Sequence, residues 1–110
     1  MKKKKPSSIN AVPEVADFIA ELNKGSYPDK IITKGRKALE QDICAGEAVQ
    51  KKRIPKYYMK KYGLHSLYVL DLDSSSRLTY TLLADGAGVS VNILEIFLSH
   101  KKYERRFGYS

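Results

Sequence analysis

The sequence predicts an α+β domain, with a helical hairpin packed on one face of an antiparallel sheet and a short C-terminal helical turn. Three observations carry that prediction. Apolar residues recur at helical spacing up to residue 43, and the period changes to two from residue 67. Two polar turns, Asp73-Ser74-Ser75-Ser76 and Asp85-Gly86-Ala87-Gly88, cut the second half into three strands. A chain of 110 residues, 43% hydrophobic, supports one buried core and no more.

The elements follow in order. Residues 1–8 read as a disordered basic arm, because a lysine run, a proline and two serines offer nothing to bury. Residues 9–110 read as a single domain. A short strand is expected over 8–12. Pro13 suits a first helical turn, with Glu14 and Asp17 near its positive end, and Val15, Phe18, Ile19 and Leu22 share one face. That gives a helix over 13–23, stopped by Gly25. Tyr27-Pro28-Asp29 opens a second helix, with Ile31, Ile32, Gly35, Leu39 and Ile43 on its apolar stripe and Gly46 beyond its end. Residues 47–66 read as mostly irregular. Strands are expected over 67–72, 77–83 and 89–98. In the middle strand Leu78, Tyr80 and Leu82 face one way, and Arg77, Thr79 and Thr81 the other. Ser99 is placed to cap a terminal turn over 100–107. With both helices on one face, the opposite face of the sheet is expected to be open.

Composition narrows the function. The net charge is +8, and residues 51–110 alone hold eleven basic and five acidic residues. A small basic domain attracts polyanions, nucleic acid above all, or an acidic protein partner. The one cysteine, Cys44, excludes an internal disulfide and a multi-cysteine zinc site, and points to a reducing, cytoplasmic setting. Two histidines make a protein-built metal site improbable. No apolar run reaches the ~18 residues of a membrane span, and no apolar segment follows the lysine run as in a secretory leader. There is no phosphate loop, nucleophile elbow or paired-cysteine motif. The acidic pair Asp71 and Asp73 reads as turn initiation.

What remains is cationic and aromatic. Between Gln50 and Tyr62 stand Lys51, Lys52, Arg53, Lys56, Lys60 and Lys61 with no acidic residue, interleaved with Tyr57, Tyr58 and Tyr62. That mixture suits single-stranded nucleic acid, with phosphates on cations and bases on rings; at least one of Tyr57 and Tyr58 is expected in the core. Arg77 starts the middle strand, where its planar fork can hold a phosphate or pair with a neighbour such as Asp71. His100 follows the last strand, with Tyr103 three residues on and Lys101, Lys102, Arg105 and Arg106 around it. Pairing across the Asp85–Gly88 turn brings Arg77 and His100 side by side. His65 reads as structural.

The strand over 67–72, Arg77-Leu78-Thr79-Tyr80, Ile93-Leu94-Glu95-Ile96-Phe97 and His100-Lys101-Lys102-Tyr103, in that order after a helical hairpin, resemble the C-terminal half of toxins of the RelE/ParE superfamily. The resemblance covers about residues 28–109. It implies a RelE-like fold and a type II toxin neutralised by a cognate antitoxin. Many such toxins are metal-independent mRNA interferases that need no cofactor and cut mRNA on the ribosome, where the RNA 2′-hydroxyl attacks the neighbouring phosphate. By motif, Arg77 matches the arginine that stabilises the phosphate, His100 a terminal general acid or base, and Tyr103 the aromatic that stacks on or orients the substrate. Lys51, Lys52 and Arg53 fall in the RNA-contacting loop. Glu47 is only loosely placed for a general base. The ParE branch implies the alternative, a non-enzymatic inhibitor of DNA gyrase, and an inactive antitoxin-binding relative is the third possibility.

Overall fold

The computed structural model describes residues 3–64 and 66–108; His65 and the first and last two residues lie outside them. The elements are β1 (Ile9–Ala11), α1 (Pro13–Ala20), α2 (Tyr27–Gln41), β2 (Glu47–Ala48), a 3₁₀ turn (Lys51–Arg53), α3 (Lys56–Tyr62), β3 (Tyr68–Asp71), β4 (Arg77–Asp85), β5 (Gly88–Phe97) and α4 (His100–Phe107). The fold is α+β, with a five-stranded sheet in the order β1-β5-β4-β3-β2. The sheet is mixed rather than antiparallel, because β1 runs parallel to β5, with Ile9 opposite Val91 and Ala11 opposite Ile93. Among the described residues no helix is long and apolar enough to cross a membrane.

α1 and α2 cover one face. Val15, Leu39 and Ile43 pack there on Leu70, Leu78, Tyr80, Val91 and Ile93. Leu82, expected in this core, is only half-buried, as it stands toward the β4–β5 turn. Gly35 lets α2 sit close to the sheet: a Cβ there would lie 2.5 Å from Leu72 Cδ2. α1 ends at Ala20, three residues before the expected end, because the chain tightens into i→i+3 bonds such as Leu22 N–H to Ile19 O at 3.1 Å. Beyond Gln41, Asp42 turns extended and its carboxylate accepts from Cys44 N–H at 3.0 Å.

The opposite face is not open. The segment expected to be irregular folds into β2, the 3₁₀ turn and α3, and Ile54, Tyr58, Leu64, Leu67 and Leu94 form a second core there with Phe107 of α4 beside it. A bulge makes this possible. Tyr80 pairs with Ile93 and Thr79 with Glu95, so Leu94 is the extra residue on β5. Strict alternation would put Glu95 among the apolar side chains facing α1 and α2. The bulge turns Leu94 and Glu95 both to the other face, where Leu94 is buried and Glu95 receives Arg106 in two bonds of 2.9 and 3.0 Å.

The arm is likewise tied down from Lys4 onward. Ile43 N–H donates to Lys4 O at 2.8 Å, Ser7 N–H to Val89 O at 2.8 Å, and the Ser7 hydroxyl to Asp85 at 2.8 Å. The backbone of an extension of β1 finds partners where composition alone promised none.

Asp73 starts the β3–β4 turn, as expected. Its carboxylate accepts from the Tyr27 hydroxyl at 2.6 Å and from the backbone of Ser75 and Ser76 at 2.9 and 2.6 Å. These bonds, the Tyr27 bond foremost, pull its pKa from 3.8 down to about 2. A depressed carboxylate stabilises the fold above its unfolded pKa, and that contribution disappears as pH falls from 3.8 toward 2. Tyr27→Phe should therefore lower the urea midpoint at neutral pH and flatten its decline through that acid window. A parallel decline in both proteins would remove this bond as the cause.

Candidate active site

β4 and β5 pair so that Arg77 lies opposite Phe97, and Ser99 then caps α4 by accepting from Lys102 N–H at 3.1 Å. His100 thus begins a helix at the end of the strand beside Arg77. Along α4, His100, Tyr103, Glu104 and Phe107 follow i, i+3, i+4, i+7 and face one groove, whereas Lys101, Lys102 and Arg105 are exposed.

The Arg77 guanidinium is the hub. One nitrogen lies 3.2 Å from His100 Nδ1, its Nε lies 3.1 Å from Asp71, and its carbon stands 4.8 Å from the centre of the Tyr103 ring. The ring is stacked on Phe107 and edge-on to Phe97, at 4.6 and 5.7 Å. Arg77 is mostly covered, with a 19% exposed side chain, whereas Asp71 is 72% exposed. A guanidinium carries only donors, so its contact makes Nδ1 of His100 an acceptor and places the imidazole proton on Nε2. Nε2 faces the Glu104 carboxylate at 3.4 Å, one helical turn on. Arg77, His100 and Glu104 therefore form a chain in which each nitrogen has a defined role.

The groove holds about 810 Å³. Arg77, Asp71, His100, Tyr103 and Glu104 line one side, and Glu47 to Gln50 and Arg53 the other. Its far wall is held by Tyr80, whose buried hydroxyl donates to Ile43 O at 2.8 Å and accepts from Gly46 N–H at 3.0 Å; burial pushes this phenol up to about 12. Gly46 is required there, since a Cβ would lie 2.7 Å from the Val69 carbonyl oxygen. Among the described residues no group of three or more His, Cys, Asp or Glu side chains is placed to hold a metal ion.

The other sequence candidates divide. Arg53 lines the groove, and Lys51 and Lys52 stand exposed on the same short turn at its mouth. Lys56 is exposed at the start of α3. Lys102, Arg105 and Arg106 line a separate depression with Glu95 and Phe97 instead. Arg106 is committed to Glu95 and lies 3.5 Å over the Tyr57 ring, so its work is to hold α4 to β5 and α3. Tyr58 is buried, bonded to Thr79 at 3.1 Å, and burial raises its pKa. Lys61 is bound to Glu14 at 2.7 Å. Sequence reasoning missed Glu104, although its i+4 spacing from His100 signalled it; Glu47, only loosely placed for a general base by the resemblance, reaches the groove because β2 pairs with β3, opposite Val69.

Compared with protein-family models, with curated proteins and with solved structures, the chain matches none.

Proposed function

We propose that this protein is a toxin of the RelE type, a metal-independent endoribonuclease that cuts mRNA on the ribosome and is neutralised by an antitoxin. One observation carries the reading: Arg77, His100 and Tyr103 meet in a single groove whose mouth bears the basic turn Lys51–Arg53. In the proposed reaction a phosphate displaces exposed Asp71 from Arg77, and the guanidinium holds its non-bridging oxygens. The 2′-hydroxyl attacks phosphorus, forming the O2′–P bond as the P–O5′ bond breaks. Engaging the phosphate also draws the guanidinium off His100 Nδ1, and the lone pair freed there takes the 2′ proton. Glu104 steadies the imidazolium through Nε2–H, and solvent protonates the leaving 5′ oxygen. The products are a 2′,3′-cyclic phosphate and a 5′-hydroxyl. Tyr103, packed on Phe107 with the Arg77 guanidinium over its ring, orients that guanidinium toward the substrate phosphate.

A second reading has its own observation. Glu47, Asp71 and Glu104 place three carboxylates in the groove, which repel RNA and suit a non-enzymatic ParE-type toxin whose partner is DNA gyrase. Primer extension on mRNA from a translating extract separates the two. Cuts in phase with codons are the expected result. Intact mRNA together with blocked gyrase supercoiling would overturn the nuclease reading in favour of the second.

The basic turn carries a separate prediction. Replacing Lys51, Lys52 and Arg53 with Gln should weaken binding to single-stranded RNA and reduce the log–log salt slope by about 2, at roughly 0.7 for each phosphate no longer neutralised. An unchanged slope would take this turn out of the interface.

A further inference from the structure

The lysines outside the groove form a second pattern. On α2, the buried side is Ile31, Ile32, Gly35 and Leu39, packed on the sheet. At 100° per residue, Lys30, Lys34, Lys37 and Gln41 fall on the opposite side, and all four are exposed. The stripe extends roughly 16 Å along the helix at 1.5 Å per residue. At its C-terminal end the arm arrives: Ile43 N–H holds Lys4 O at 2.8 Å, just past Gln41, and Lys3, Lys4 and Lys5 are exposed. Three lysines thus stand along the ridge, and three more on the arm that meets its end. Among the described residues none of them forms an ion pair, although Asp29, Glu40 and Asp42 are close in sequence. Asp29 and Asp42 are occupied by the backbone N–H groups of Gly25 and Cys44 at 2.8 and 3.0 Å.

We infer that this ridge of α2 and the N-terminal arm is a second nucleic-acid surface, binding the phosphate backbone of a double helix without reading its sequence. Three features select that ligand. The lysines form no ion pair and run in a line, as phosphates do, although Asp29 stands beside Lys30 and Lys34. In line with these lysines, one turn before Lys30, stands a single ring, Tyr27, whose hydroxyl is tied to Asp73 at 2.6 Å, so the stripe lacks the buried anchor that gives a protein partner its affinity. One ring is no platform for successive unpaired bases, which separates the ridge from single-strand binding. α2 packs on the sheet face away from Arg77, so the ridge points away from the groove, and both surfaces can be filled at once by a large folded RNA. The inference does not rest on the cleavage reading.

The test uses the full chain and four fluorescent probes: a 20-base-pair RNA duplex, the same duplex as DNA, a 10-nucleotide single strand and poly-glutamate. Lys30→Gln, Lys34→Gln and Lys37→Gln combined, all at exposed positions, should leave the thermal midpoint unchanged. Duplex affinity should fall about tenfold or more near physiological salt, and the duplex salt slope should shrink by about 3. Lys3→Gln, Lys4→Gln and Lys5→Gln should add to the loss. Loss on RNA alone or on both duplexes supports the ridge and tells which helix it takes. Combined Lys51→Gln, Lys52→Gln and Arg53→Gln should spare most duplex binding while weakening the single strand. Unchanged duplex affinity and slope in the α2 variant would overturn the inference, as would loss confined to poly-glutamate, which would make the partner an acidic protein. Codon-phased cleavage of mRNA at saturating ribosome concentration should be the same in the α2 variant as in the parent, so failure of the ridge and failure of the nuclease reading register in different measurements.

Discussion

His100→Gln is expected to slow RNA cleavage by about 10²–10⁴-fold, the usual contribution of a positioned acid or base, and to leave the fold intact. The glutamine keeps a hydrogen-bonding group of similar reach but cannot take up a proton at Nδ1's position. His100 is half-exposed at the first turn of α4, so the change removes little packing. Arg77→Ala should lose a similar amount by another route. It deletes the donor that faces the phosphate, worth about 2.7–4 kcal/mol of barrier for one preorganised charge-stabilising group. It also leaves Asp71 without its cationic partner beside the groove, adding repulsion to the lost attraction. The two changes should combine to less than the product of their separate losses, because the side chains are 3.2 Å apart and act on one phosphate. Single-turnover cleavage of a defined mRNA on programmed ribosomes, with antitoxin binding as the control for folding, measures both. A His100→Gln protein that cuts at the parental rate would exclude His100 as a catalyst.

Leu78→Ala should destabilise the protein by about 2–5 kcal/mol, the range for a large apolar side chain removed from a packed core. Leu78 is fully buried in the middle of the sheet, opposite Leu70 on β3 and Ile96 on β5 and beneath α2. No neighbour is free to fill the space, since Gly35 already brings the helix against Leu70 and Leu72. Such a loss is a large fraction of the ~5–15 kcal/mol that holds a domain of this kind together. Urea unfolding gives the value from the midpoint shift at constant slope. A cost under about 1 kcal/mol would contradict the packing of α2 on β4. Leu83→Ala, at a side chain 54% exposed on the same strand, should cost far less and serves as the comparison.

The residues alone determined the local elements and one core. Helical spacing placed α1 and α2, alternation placed β3, β4 and β5, and Ser99 placed the start of α4, because each of these is decided by which side chains share a face within a few residues. The meeting of Arg77 with His100 followed from one hairpin register, and Tyr103 from one helical turn. Tertiary structure decided the rest, wherever a group's partner lies far away in the chain. Lys4 finds Ile43 and Ser7 finds Val89, so the arm is fastened. β2 exists only by pairing with β3, which brings Glu47 to the groove. The chain between β2 and β3 covers the second face because Leu94 is displaced by a bulge; Ile93-Leu94, two adjacent apolar residues followed by Glu95, was the one local trace of it. The cations were sorted in the same way. Sequence counts charge, but only the fold shows that Arg106 and Lys61 are bound to Glu95 and Glu14, that Arg53 faces the groove, and that Lys30, Lys34 and Lys37 face away from it. A charge acts through what stands within a few ångströms of it, and that distance is set by the packing of elements remote in sequence.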